Sequence, residues 1–249
     1  MVEEAGMTGF EGRVFLVSGG ARGLGAAQAR ALVAAGARVV VADVLDDRAA
    51  ALAGALGAAC ASCHLDVTSE SDWAQAVAVA EALGPLRGLV NNAGVYRPQP
   101  LVETSVAEFE RHMRVNQLGT FLGMRAAVAA LERSGGGSIV NLSSTAGLRA
   151  VPNAFAYTGT KWAVRGMTKA AALELVGRNI RVNSVHPGPT DTEMLHVRTP
   201  EENQQRARQI PMQRQGTADE IAGLVLFLLS DASRFMTGAE LAMDGGAAL

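Results

Sequence analysis

Cysteine is scarce in this 249-residue chain, which has only Cys60 and Cys63, too few for a disulfide scaffold or for a four-ligand zinc site without distant partners. Aromatic residues make up 4%, leaving little for nucleobases to stack on. No charge dominates: 22 Lys+Arg stand against 24 Asp+Glu, the net charge is −2, and no broad positive field draws a phosphate backbone. Long apolar runs are missing too. The longest, Ala49 to Ala61, is mostly Ala and Gly and covers 13 positions, against the roughly 20 that a bilayer crossing needs. Near the N-terminus Glu3, Glu4 and Glu11 sit where a secretory signal requires basic charge, so a cytoplasmic chain with neither nucleic-acid nor membrane partners is expected.

The two cysteines and His64 spell C-x-x-C-H, the spacing of covalent haem attachment, a reading that needs export and a distal ligand. A thioredoxin-type pair needs a helix N-terminus, whereas Ser62 to Val67 reads as the start of a strand. Two small thiols, buried or half-buried, are the expectation.

Hydrophobic residues make up 49%, enough to bury a core and offset the entropy of ordering. Short β-branched runs alternate with Ala-rich amphipathic stretches, the pattern of βαβ units. Strands are predicted at Arg13–Val17, Arg38–Ala42, Ser62–Asp66, Leu86–Asn91, Ser138–Leu142, Ile180–Val185 and Ala239–Met243. Helices are predicted at Leu24–Ala35, Asp46–Leu56, Glu70–Leu83, Ala107–Arg133, Ala156–Val176 and Ala218–Leu229. The architecture implied is α/β: one Rossmann-type domain over residues 1–249, a doubly wound, seven-stranded parallel sheet in a three-layer α/β/α sandwich. Residues 1–12 form an N-terminal extension. The irregular polar stretch Thr190 to Gly216 is a candidate substrate lid.

After the first strand runs Ser18-Gly19-Gly20-Ala21-Arg22-Gly23-Leu24-Gly25, opening directly into a helix. Gly19, Gly23 and Gly25 let the backbone approach a pyrophosphate, whose charge the helix N-terminus favours. Arg22 and Leu24 lie in the same loop. Asp43, at the end of the second strand, is placed to accept hydrogen bonds from an adenosine ribose. That carboxylate repels the extra phosphate of NADP, so NAD is the expected cofactor, although the Arg22 guanidinium works the other way.

Tyr157 and Lys161 are four apart on a predicted helix, hence on one face. A phenol titrating near 10 exchanges protons poorly at neutral pH, and a neighbouring ammonium is expected to lower that value. In a chain that otherwise relies on arginine, Lys161 and Lys169 are the only lysines.

With these features in place, the chain resembles the short-chain dehydrogenase/reductase family from first strand to last. The resemblance rests on Ser18 to Gly25, Asp66-Val67, Asn91-Asn92-Ala93-Gly94, Asn116, Ser143-Ser144, Tyr157-x-x-x-Lys161 and Pro187-Gly188. It implies that Tyr157 is the general acid/base, that Ser144 bonds the substrate oxygen with Ser143 as competitor, and that Lys161 binds the nicotinamide ribose. It further implies that Asn116 holds a water of a proton relay, Asp66 and Val67 touch the adenine, and Asn92, Ala93 and Gly94 flank the ribose. Pro187, Gly188 and Thr192 would hold the carboxamide of the nicotinamide, with Thr190 the second choice of hydroxyl.

Within the family, Ala42 to Asp46, His64 to Thr68 and Arg181 to Gly188 resemble bacterial hydroxysteroid dehydrogenases, implying a secondary alcohol or ketone, a hydroxysteroid, as substrate. A sugar, a diol or a 3-oxoacyl compound stays open, as does a non-catalytic dinucleotide sensor. Similar proteins assemble as homotetramers, here through the helix carrying Trp162, Met167, Leu173 and Leu175 and through the C-terminal Gly238 to Leu249.

Overall fold

The computed structural model describes residues 9–249; most of the expected N-terminal extension lies outside the described residues. Seven strands form one sheet: β1 (Val14–Ser18), β2 (Arg38–Asp43), β3 (Cys60–His64), β4 (Leu86–Asn91), β5 (Gly137–Leu142), β6 (Ile180–Pro187) and β7 (Glu240–Met243). Every pairing is parallel, and the order is β3-β2-β1-β4-β5-β6-β7. The order reverses between β1 and β4, where such sheets open a crevice at their carboxyl ends.

Successive strand residues feed two cores, because side chains alternate across a sheet. Val14, Leu16, Val40 and Ala42 pack into one, Phe15, Val17, Val39 and Val41 into the other. Residues of α1 (Gly23–Ala34), α2 (Asp46–Leu56) and α8 (Ala218–Leu229) cover the second core. The first is covered by α3 (Glu70–Leu83), α5 (Gly119–Arg133) and α6 (Phe155–Leu175). The central strands are sealed on both faces, which explains their unbroken apolar runs. The three-layer α/β/α sandwich is therefore the observed fold.

Several boundaries differ from expectation. β3 runs two residues earlier than predicted at both ends, with Cys60 paired to Val39 and His64 to Asp43. Three positions apart on a strand, Cys60 and Cys63 pack against opposite cores and cannot act as a pair. Both are free and half-buried, and burial pushes each thiol up to about 11. The predicted helix Ala107–Arg133 is two helices, α4 (Val106–His112) and α5, joined by a π-helical segment at Met113–Leu118. A wider turn of that kind is a feature of functional sites.

Within the Thr190–Gly216 excursion, a 3-10 turn (Glu193–Val197) precedes α7 (Pro200–Ala207), a helix not expected from the sequence. A capping box between Thr199 and Glu202 and Pro200 in the first turn start it. The excursion is closed at its neck: Thr190 and Gly216 form a parallel bridge, with Asp191 N donating to Gly216 O and Gly216 N to Pro189 O, both at 3.0 Å. Leu175, expected at a subunit interface, is instead buried within its own chain, where α6 packs on the sheet.

α5 approaches the sheet closely at Gly123, where an added Cβ would lie 2.2 Å from Asn91 Oδ1 and 2.7 Å from the Trp73 ring. Gly123→Ala should therefore cost about 1–3 kcal/mol by overpacking, read as a lower urea midpoint at unchanged slope. An unchanged midpoint would contradict this packing.

Candidate active site

The carboxyl ends of β1, β2, β4, β5 and β6 gather almost every residue singled out from the sequence. Ser18 closes β1 on β4: its hydroxyl donates to Val90 O (3.3 Å) and accepts from Asn92 N (3.1 Å) and Ala93 N (3.2 Å). Asn92 Nδ2 donates back to the carbonyls of Ser18 and Gly19 at 3.1 and 2.9 Å, so both loops are held as one unit.

Gly19 has φ +62° and lies so close to Ala93 that a Cβ would stand 2.7 Å from its Cα; only glycine fits. Gly23, at φ +52°, faces a gap in which an added Cβ meets only Thr192, at 3.7 Å. The N-cap of α1, Arg22, makes no side-chain cap, and no acidic residue occupies the first turn. By contrast α3, α4, α7 and α8 are each capped by Ser or Thr. The first-turn N–H groups of α1, where Leu24 and Gly25 lie, are left to an external anion.

Asp43 is buried at the end of β2, accepting from Ala21 N (3.0 Å) and Leu45 N (3.1 Å) through different oxygens. Each oxygen keeps a lone pair for a further donor. Asp66 is exposed just past β3 and accepts from Thr68 N; Val67 is buried beneath Gly119. Past β6, Gly188 packs against Asp244 where no Cβ fits. Thr190 is buried with its hydroxyl on Gly188 O, whereas Thr192 is half-buried and faces Gly23. Of the two hydroxyls, Thr192 is the one beside the glycine loop.

Lys161 is buried in α6, its Nζ 2.7 Å from the Leu142 carbonyl at the end of β5 and 5.6 Å from the Tyr157 ring centroid. Burial holds this ammonium down at about 8. Burial likewise pushes the Tyr157 phenol up to about 12, opposed by a hydrogen bond with the Ser144 side chain. The expected lowering of the phenol by Lys161 does not hold here: burial raises the phenol, and the opposing hydrogen bond comes from Ser144. Ser143 donates its hydroxyl to Lys161 O at 3.0 Å, while Ser144 faces Tyr157. Ser143 is thereby occupied as a brace, and Ser144 is the hydroxyl beside the phenol.

Asn116 is fully buried in the π-helical segment, bonded to Val95 N (2.8 Å), Val95 O (3.0 Å) and Thr160 Oγ1 (3.2 Å). Gly94 lies over it: a Cβ there would come within 3.3 Å of Asn116 Oδ1 and 3.7 Å of Lys161 Nζ. A side chain at this point would press on the Asn116 amide.

The likeness to known proteins extends over nearly the whole chain. A family model described as Enoyl-(Acyl carrier protein) reductase matches residues 19–248. The chain is 45% identical over 244 residues to the trans-4-hydroxycyclohexanecarboxylate dehydrogenase of Sinomonas cyclohexanicum, covering 94% of this chain and 92% of that relative. It is 46% identical over 236 residues to the 3-alpha-(or 20-beta)-hydroxysteroid dehydrogenase of Mycobacterium bovis, at 94% and 89% coverage. This chain belongs to the short-chain dehydrogenase/reductase family. Its fold superimposes with a TM-score of 0.92 on 3-ketoacyl-(acyl-carrier-protein) reductase of Brucella melitensis complexed with NADH, 33% identical and covering 96% and 99% of the two chains.

This short-chain dehydrogenase/reductase is an enzyme acting on CH–OH groups, and its site includes residues the sequence reading passed over. Tyr96 stacks edge-on against Tyr157, ring centroids 4.9 Å apart, and the buried His112 lies 6.5 Å from the same ring. The signal was available for Tyr96, since the chain has only two tyrosines. His186 Nδ1 bonds the Ser144 carbonyl at 3.0 Å and fixes that turn.

Arg22, the N-cap of α1, is paired with Glu193 at 2.7 Å; Arg48 holds the same carboxylate at 3.0 Å. The two guanidiniums keep Glu193 below the usual carboxylate range. The excursion therefore supplies a negative charge that offsets Arg22 beside the glycine loop. Glu193→Gln should raise kcat/KM with NADPH about fivefold relative to NADH. Parallel assays with the two cofactors check this, and an unchanged ratio would show Glu193 to be a surface pair only.

Proposed function

We propose that this enzyme interconverts a secondary alcohol and a ketone on an alicyclic ring, hydroxysteroids among them, with NAD(H) as cofactor. The observation that carries the reading is the meeting of the Ser144 hydroxyl, the Tyr157 phenol and the buried Lys161 ammonium beside the end of β5. Both relatives described above are named for ring alcohols, and the solved neighbour is complexed with NADH.

The residues present suit the dinucleotide: a helix start without cap or acid, a glycine loop facing an open gap, and a carboxylate with spare lone pairs. Gly19, Arg22, Gly23, Leu24 and Gly25 would hold the pyrophosphate side, Asp43 the adenosine ribose, and Asp66 and Val67 the adenine. Asn92, Ala93, Gly94, Tyr157 and Lys161 would flank the nicotinamide ribose; Pro187, Gly188 and Thr192 would take the carboxamide, with Thr190 behind. When bound, the nicotinamide accepts a hydride from the carbinol carbon or returns it to the carbonyl.

In reduction Tyr157 gives its phenolic proton to the forming alkoxide, and Ser144 donates a hydrogen bond to the same oxygen. In oxidation the phenolic oxygen takes the hydroxyl proton back. Lys161 uses one donor on Leu142 O and keeps two to favour negative charge as it passes to the phenol. Asn116 fixes the Gly94 loop and, through its place in the π-helical segment, holds the relay water that returns the proton to solvent.

The polar excursion 190–216 serves as the substrate lid within a single domain. Assembly is as a homotetramer, supported by Trp162 and Leu173, which α6 leaves 45% and 81% exposed.

Tyr157→Phe should lower turnover at least about a thousandfold while NADH binding, followed by fluorescence titration, stays within twofold or so of the parent. Retained turnover would remove Tyr157 from the acid/base role. Because Lys161 carries its charge only below about 8, kcat/KM for ketone reduction should be level at lower pH and fall above that value. In Lys161→Arg, whose side chain stays charged, the fall should disappear from the range up to pH 10 even if the plateau is lower.

A further inference from the structure

Arg198 ends the 3-10 turn of the excursion, and its guanidinium lies 5.3 Å from the Tyr96 ring centroid while also donating to the Tyr96 hydroxyl. Tyr96 is in turn the ring stacked 4.9 Å from Tyr157. A cation is thus held one aromatic ring away from the phenol that handles the substrate proton. Arg198 is half-buried, and among the described residues no carboxylate stands within 4.0 Å of it; Arg206 and Arg208 of the excursion also lack a carboxylate but are exposed, and Arg214 is paired with Glu220.

Arg198 also lines a cavity of about 680 Å³ that lies within the excursion, on the far side of its contact with Tyr96; Tyr96, Ser144 and Tyr157 are not part of the lining. The other charged or titratable groups lining it are Asp191, His196 and Arg214. Arg214 is committed to Glu220 at 2.6 Å, and Asp191 lies outside ion-pair range of Arg198. The Tyr96 ring and its hydroxyl satisfy one face and one donor of Arg198; a guanidinium has five donors in a fork that matches a carboxylate. A partly desolvated guanidinium left without an anion costs free energy that a ligand anion would recover.

Resting on the alicyclic-alcohol reading above, we infer that the substrate carries a carboxylate about one ring's length from the reacting carbinol, and that Arg198 binds it. Arg198 sets specificity: ionic pairing at one end of the ring orients the hydroxyl at the other end toward Tyr157 and Ser144. Tyr96 backs the guanidinium and keeps its fork turned to the substrate.

The test compares NAD-dependent oxidation of 4-hydroxycyclohexanecarboxylate, its methyl ester and cyclohexanol by the full-length enzyme and by Arg198→Met and Arg198→Lys. The parent should favour the acid over the ester about a hundredfold in kcat/KM, mostly through KM, and the preference should shrink with added salt. In Arg198→Met the acid-to-ester ratio should fall to near one, and Arg198→Lys should recover part of it. An ester oxidised by the parent as well as the acid, or an Arg198→Met variant that lowers both alike, overturns the inference while leaving the alicyclic reading intact. If none of the three alcohols yields NADH, the alicyclic reading fails with it. Circular dichroism of both variants separates these outcomes from a failure to fold.

Discussion

A charged amine cannot sit inside a protein without oxygen to answer it, and the site is arranged around that constraint at Lys161. Its ammonium is bonded to the Leu142 carbonyl at the last residue of β5, a strand whose C-terminal carbonyl has no further ladder partner to serve. Ser143, the next residue, reaches back to the Lys161 carbonyl, so α6 and β5 are stitched together in both directions. Gly94 leaves room above the amine, Asn116 holds the Gly94 loop, and Thr160, next to the lysine, holds Asn116. Move the ammonium and each of these partners loses its reason for being where it is.

Much of this was legible in the sequence because strong local signals coincide with the chemistry. A glycine loop after a β-branched run, an acid at the end of the next strand and a Tyr–Lys pair one helical turn apart each carry their own geometry. The seven strands and most helices follow from hydrophobic period alone, since strands sealed on both faces admit little polarity. What escaped notice depended on non-local packing. The π-helical widening at Met113–Leu118 has no periodic signature, because one extra residue per turn over six positions leaves the apolar pattern of its flanks unchanged. The start of β3 at Cys60 was hidden by Cys-Ala-Ser-Cys, residues of weak strand preference that pair because β2 offers them a ladder.

Thr199-Pro200-Glu201-Glu202 is a helix start by capping rules, but α7 buries none of its residues and so carries no apolar stripe to mark it. Ionic partners were harder still. Glu193 lies 171 positions from Arg22, and nothing in one sequence links them. Their pairing alters the electrostatics of the glycine loop, replacing an exposed cation with a neutralised one, and it ties the excursion to that loop while Arg198 ties it to Tyr96.

The neck of that excursion, where Thr190 meets Gly216, has a consequence for how such an enzyme changes over generations. Because the chain leaves and re-enters the scaffold at almost one point, the segment between behaves as an exchangeable cassette whose length and composition can drift while the sheet keeps its register.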